Sequence, residues 1–108
     1  MPNEKHLKGD RAEIIAAEYF MKLGFLVLRN MGSHGTVDLI LVDEDGDGAI
    51  TLIDVKAISL RSKNGYKVNR IVSKKQKKLN VKLIYVNLDT KEVLTKMPHK
   101  RDKRLDIN

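Results

Sequence analysis

Asp38, Asp54 and Lys56 are the residues of this chain whose types and spacing suggest chemistry. They stand on two strand-like runs, "TVDLILV" (36–42) and "AITLIDVKA" (49–57), with the acidic stretch "DEDGDG" between them. If the runs pair as an antiparallel hairpin centred on Gly46, opposed residues have a constant sum of numbers. Val42 then faces Ile50, Ile40 faces Leu52, Asp38 faces Asp54 and Thr36 faces Lys56. Lys56 lies two residues past Asp54 on the same strand and projects to the same face, about 7 Å away. Two opposed carboxylates repel unless something compensates. With one lysine beside them they suit a hard divalent cation such as Mg²⁺, which takes one or two carboxylates and completes its octahedron with water and substrate phosphate. A surface charge patch on a polar sheet face fits the same residues.

The stretch between the strands invites a different reading. "DEDGDGAITLID" (43–54) places Asp43, Asp45 and Asp47 at the first, third and fifth positions of a twelve-residue calcium loop, with Asp54 at its end. An EF-hand loop needs a helix on each side, whereas both flanks here are β-rich, and the terminal Glu is replaced by the shorter Asp54. A polar hairpin connection, with Gly46 and Gly48 free to take positive φ, is the better expectation.

Other elements must position these residues. "GDRAEIIAAEYFMKLG" (9–24) reads as a helix with Asp10 as N-cap, Glu13 completing a capping box and Gly24 as the stop. Its apolar stripe would be Ala12, Ile15, Ala16, Tyr19 and Leu23. "FLVLR" (25–29) reads as a buried strand and "NMGSHG" as a loop. "SKKQKKLN" (73–80) reads as a short helix with a Ser73–Gln76 capping box. "VKLIYVN" (81–87) reads as a strand, "DTKE" as a turn, and "VLTK" as a further strand. Residues 58–72 are basic, with a short extended piece at "YKVNRIV". The order is helix, three strands, helix, strand and an optional last strand: an α/β fold with a mixed sheet flanked by helices.

The chain has 108 residues and is expected to form one domain, with residues 1–8 and 98–108 as frayed basic termini. It contains no cysteine, so disulfides and thiolate zinc sites are excluded, in keeping with a cytoplasmic setting. No apolar run approaches the roughly 20 residues of a membrane span, and the polar N-terminus is no signal peptide. Lys and Arg total 21 against 14 acids, and no acid occurs between Val55 and Leu88. Arg61, Lys63, Lys67, Arg70, Lys74, Lys75 and Lys78 lie in that stretch. Such a one-sided field favours a polyanion, nucleic acid above all, although a solvated lysine-rich face has the same composition. Aromatic residues are few and mostly suited to the core, which argues against single-strand stacking platforms.

An acid on one strand, a hairpin, then acid-x-Lys on the next resembles the PD-(D/E)xK nuclease superfamily. The opening "KGDRAEIIAAEYFMKLGFLVLRNMGSHGTVDLI" is similar to its archaeal-type Holliday junction resolvase branch: a helix with an early Glu, a "GF" strand ending in Arg, and a "GS-G" loop before the Asp. The likeness covers residues 8 to about 60, with Gln76 in "SKKQ" matching a polar position of the second core helix. Val37 stands where the superfamily's name has Pro, and Asp54 replaces the more frequent Glu.

The resemblance implies a restriction-endonuclease-like core and a Mg²⁺-dependent endonuclease, Mn²⁺ substituting. It would be a homodimer cutting four-way DNA junctions. Asp38 and Asp54 would hold the metal with the backbone carbonyl of Val55, and Lys56 would orient water or stabilise the transition state. Glu13 becomes a metal ligand or a neighbour of one rather than a helix cap, and Ser33 and Gln76 join the catalytic candidates. Arg29, Ser33, His34 and the basic residues from Arg61 to Lys78 would contact DNA, giving strong salt dependence. His34 alone carries little weight, and a plain turn remains open for Ser33. The competing readings are a restriction- or repair-type nuclease acting on duplex, and a module of the same fold that binds nucleic acid without cutting.

Overall fold

The computed structural model describes residues 4–32, 35–58 and 73–95. Seven elements follow in order: α1 (Glu4–Lys22), β1 (Leu26–Arg29), β2 (Leu39–Val42), β3 (Ile50–Ile58), α2 (Lys74–Leu79), β4 (Lys82–Asn87) and β5 (Val93–Leu94). This is the order expected from the sequence. The expected "YKVNRIV" strand piece lies outside the described residues, as do residues 1–3 and 96–108.

Helix α1 corrects the sequence reading at its start. It begins six residues before Asp10 and runs through Gly9, so Asp10 is not its cap. An interior glycine costs about 1 kcal/mol relative to Ala, which is why a boundary looked plausible there. Glu13 is therefore released from capping and turns to Arg29 instead. The C-terminal stop is as expected. Gly24 adopts φ +97, its amide donates to the Met21 carbonyl at 3.0 Å, and the Phe25 amide donates to Phe20 at 3.1 Å. That is the Schellman pattern, for which glycine is the unstrained residue. The buried stripe is Ala12, Ala16 and Phe20, while Tyr19 and Leu23 are exposed. Phe20 stacks edge-on with Phe25, which anchors the turn into β1.

The five strands form one sheet in the order β1-β2-β3-β4-β5. The first three are antiparallel, β3 and β4 are parallel, and β5 closes antiparallel to β4. A parallel neighbour requires a crossover, and α2 lies in the one joining β3 to β4. Val42 pairs with Ile50 and Ile40 with Leu52, the register derived from the sequence. The regular ladder ends at Leu39–Ile53. Beyond it the Asp38 amide donates to the Ile53 carbonyl at 2.8 Å, one residue out of step. Thr36 therefore does not pair with Lys56 in the ladder, and the slip turns the Asp38 side chain toward β3.

Side-chain alternation divides the sheet. Leu39, Leu41, Ile53, Val55, Ile84 and Val86 face α1 and pack with Ala12, Ala16 and Phe20 into the core. Asp54 and Lys56 alternate with Val55 and so point to the other face, where Gln76 of α2 meets Asp54. Among the described residues no helix is long and apolar enough to cross a membrane.

The acidic stretch is a hairpin turn and not a calcium loop. The Asp43 carbonyl accepts from Gly46 and Gly48, the Asp43 amide donates to Ala49 at 3.0 Å, and Asp47 Oδ1 accepts from the Ala49 amide at 2.9 Å. Gly48 takes φ +78, whereas Gly46 does not use positive φ. Strands enter and leave, as the sequence indicated. Replacing Asp43, Asp45 and Asp47 together by Asn keeps the Asp47 acceptor and the exposed turn. Its stability should stay within about 1 kcal/mol of wild type in urea unfolding, and calorimetry should detect no calcium site that the substitutions remove.

Candidate functional site

A cleft of about 410 Å³ gathers Glu13, Thr36, Asp38, Asp54, Val55, Lys56, Ser73 and Gln76. Four elements or their flanks supply these residues, and each is placed for a local reason. Asp38 sits at the ladder's end, its carbonyl accepting from the Asn30 amide at 2.9 Å and its own amide held by Ile53. Its Oδ2 then accepts from the Val55 amide at 2.7 Å. Asp54 and Lys56 follow from the alternation of β3, and Lys56 Nζ stands 3.2 Å from Asp54 Oδ2.

Gln76 is held by its own helix end. Ser73 caps α2, its Oγ accepting from the Gln76 amide at 3.1 Å, while Gln76 Oε1 accepts from the Ser73 amide at 3.2 Å. The Gln76 Nε2 is left to donate to Asp54 Oδ2 at 2.6 Å and to the Thr36 carbonyl at 3.2 Å. The capping box expected from the sequence thus also orients a buried carboxylate. Both Asp54 and Gln76 are buried, so this hydrogen bond is made in a medium where an unpaired partner would be costly.

Asp38 and Asp54 lie within hydrogen-bonding reach of each other, and their environment shows in one of them. Burial pushes the Asp38 carboxyl up from its ordinary 3.8 to about 7; the adjoining Asp54 and the more distant Glu13 charge add to the rise, and the Val55 amide opposes it. The Oδ2 of each carboxylate is engaged by a protein donor, and the two side chains adjoin each other. That is a hard oxygen donor pair with unbalanced negative charge, and it fits a divalent cation of the Mg²⁺ type. Among the described residues no group of three or more acid or histidine side chains is placed to hold a metal ion together. A cation there would therefore rest on the two aspartates, a backbone oxygen and water.

Glu13 lines the cleft but is drawn elsewhere. Its Oε1 accepts from Arg29 Nε at 3.2 Å, and Arg29 also reaches Asp10 Oδ1 at 3.4 Å. Arg29, expected to contact DNA, is thus tied to two acids on α1 while remaining half exposed. The sequence offered no signal for this pairing, because the residues stand sixteen and nineteen positions apart. Lys74, Lys75 and Lys78 are exposed on α2, around the turn that carries Gln76. Ser33, His34, Arg61, Lys63, Lys67 and Arg70 lie outside the described residues.

No protein-family model matches the chain, and no curated protein matches it. Among solved structures it is similar to a bacterial homing endonuclease, I-Ssp6803I. The TM-score is 0.64 at 22% identity, over 84% of this chain and 67% of that one. At that identity the likeness shows a shared fold: a mixed five-stranded sheet with helices, compatible with a nuclease-like α/β architecture.

The raised Asp38 carboxyl gives a signed prediction. Between 3.8 and about 7 the folded chain keeps a proton that the unfolded chain has released, so its stability falls as pH rises through that window. In EDTA the melting temperature of wild type, relative to Asp38→Asn, should decline from about pH 5 to about pH 8. Adding Mg²⁺ at the upper end should raise the wild-type value and leave Asp38→Asn unmoved. Thermal melts of both proteins with and without metal check this.

Proposed function

We propose that this chain is a divalent-metal-dependent DNA endonuclease, and specifically a Holliday junction resolvase that places paired nicks in four-way junctions. The observation that carries the reading is the Asp38–Asp54 pair with Lys56 at 3.2 Å, in one cleft beside the exposed lysines of α2. The fold likeness to a homing endonuclease supports the endonuclease class.

In this reading Asp38 and Asp54 would hold Mg²⁺, or Mn²⁺ in its place, joined by the Val55 carbonyl. Bound there, the ion supplies a water of lowered pKa and charge neutralisation at the scissile phosphate. The chain's own groups do the rest. Lys56 donates to the attacking water or to the phosphate oxygens as charge builds on them. Gln76 fixes the Asp54 carboxylate in the cleft by donating to its Oδ2. Glu13, restrained by Arg29, adds negative potential beside Asp38. Lys74, Lys75 and Lys78, with Ser33, His34 and the basic residues from Arg61 to Arg70, track the DNA backbone. One chain carries one such site, whereas resolving a junction takes two symmetric cuts. A two-fold homodimer supplies both.

The likeness to a homing endonuclease favours a second reading, an endonuclease acting on ordinary duplex. Cleavage of a labelled four-way junction beside the matched linear duplex, in Mg²⁺ against EDTA, decides between them. The resolvase reading predicts paired nicks confined to the junction; equal cleavage of both substrates assigns the duplex reading. In either case Asp38→Asn, Asp54→Asn and Lys56→Ala should abolish cleavage. DNA affinity should stay within a few-fold, because affinity comes from the basic surface and the cleft acts on the transition state. The two carboxylate changes should tighten metal-free binding by removing repulsion. Full activity in any one of the three variants would remove the catalytic assignment.

A further inference from the structure

Helix α1 is apolar on two opposite faces. Ala12, Ala16 and Phe20 form the core side. On the far side Leu7, Ile14 and Met21 recur every seven residues and are 48%, 57% and 55% exposed. At about 100° per residue, all three point within about 40° of the direction opposite Ala16. Arg11 and Glu18, also seven apart, run along one flank of this stripe. An open groove of about 490 Å³ follows the same flank, lined by Arg11, Ile14 and Glu18 with Lys91 of the β4–β5 turn. A surface helix ordinarily has one apolar face, and a second one calls for a covering.

We propose that the outer face of α1 is a homodimer surface, on which a second copy packs its own α1 antiparallel about a two-fold axis near Ile14. The sequence of the stripe carries the argument. Leu7, Arg11, Ile14, Glu18 and Met21, read backwards, keep their apolar positions and exchange acid for base. Under such an axis Ile14 meets its own mate, Leu7 meets the second copy's Met21, and Arg11 approaches the second copy's Glu18. The axis also keeps the charged flank of one helix against the charged flank of the other. A parallel two-fold pairing would put the two charged flanks on opposite sides of the contact, so that Arg11 never meets Glu18. Glu18 pairs within its own helix with Lys22 at 3.0 Å, an exposed pair of small worth that the second copy's Arg11 can share. The contact is self-complementary, as a two-fold interface must be.

The apolar stripe spans about 21 Å of helix at 1.5 Å per residue. Such a contact falls at the small end of the range around 800 Å² per partner, so a micromolar dimer and not an obligate one is expected. Glu13, about 100° round the helix from Ile14, stays on the cleft side, and both clefts remain open. The strands "LIYVN" and "VLTK" are poorer candidates for the contact. β4 is interior to the sheet, paired on both sides, and β5 is two residues long.

Sedimentation velocity over about 1 to 100 µM tests the surface without any cleavage assay. Wild type should move reversibly from 12.3 kDa to twice that mass. Arg11→Glu or Glu18→Arg alone should weaken association roughly tenfold or more, and the two together should restore it. Leu28→Ser, on β1 and away from α1's outer face, should change nothing. Circular dichroism confirms that the exposed charge variants are folded. A monomer throughout, a double variant no tighter than the singles, or dissociation by Leu28→Ser would each overturn the proposal. Failure to cut DNA would leave these results untouched, and a failed dimer would leave the single-chain cleft untouched.

Discussion

Two carboxylates are held side by side at the point where the β2–β3 ladder slips by one residue. Like charges in a partly buried place repel, so the arrangement persists only because other groups are arranged around it. The Val55 amide takes one oxygen of Asp38, and Gln76 and Lys56 share one oxygen of Asp54. Burial first, and the adjoining Asp54 after it, leave the Asp38 carboxyl raised all the same. A sheet that needed only stability would place apolar residues here, as it does at Leu39 and Ile53 one step away. Keeping the pair against that preference is the structural ground on which the proposed cation site rests.

Much of this was legible in the sequence, because it follows from alternation. The hairpin register, the shared face of Asp54 and Lys56, the α2 capping box and the glycine stop of α1 are all short-range patterns with one physical solution. The start of α1 was misread, since Asp10 and Glu13 match a capping box as well as any true one; what overrides it is the continuation of the helix through Gly9 and the pull of Arg29 on Glu13. The ladder slip at Asp38 was equally hidden. It is a tertiary event, fixed by Asn30 on one side and Ile53 on the other, and no local pattern announces it. The second use of the capping box, in which Gln76 also holds Asp54, depends on the crossover bringing α2 back over β3.

The cleft and the basic surface divide the work that the proposed activity requires. The acidic pair is confined to a small pocket, whereas the exposed lysines of α2 surround the turn that closes it. A phosphodiester drawn in by the lysines would meet negative charge only where a cation screens it. The outer face of α1 lies away from this machinery, so the proposed pairing of two copies through its self-complementary stripe would leave both clefts open.

The most direct test of the central claim is Mn²⁺ binding followed by electron paramagnetic resonance at neutral pH, without DNA. The account predicts bound Mn²⁺ in wild type, its loss in Asp54→Asn, and its retention when the three hairpin aspartates are replaced by Asn. Binding that survives Asp54→Asn, or that disappears with the hairpin aspartates, would contradict it.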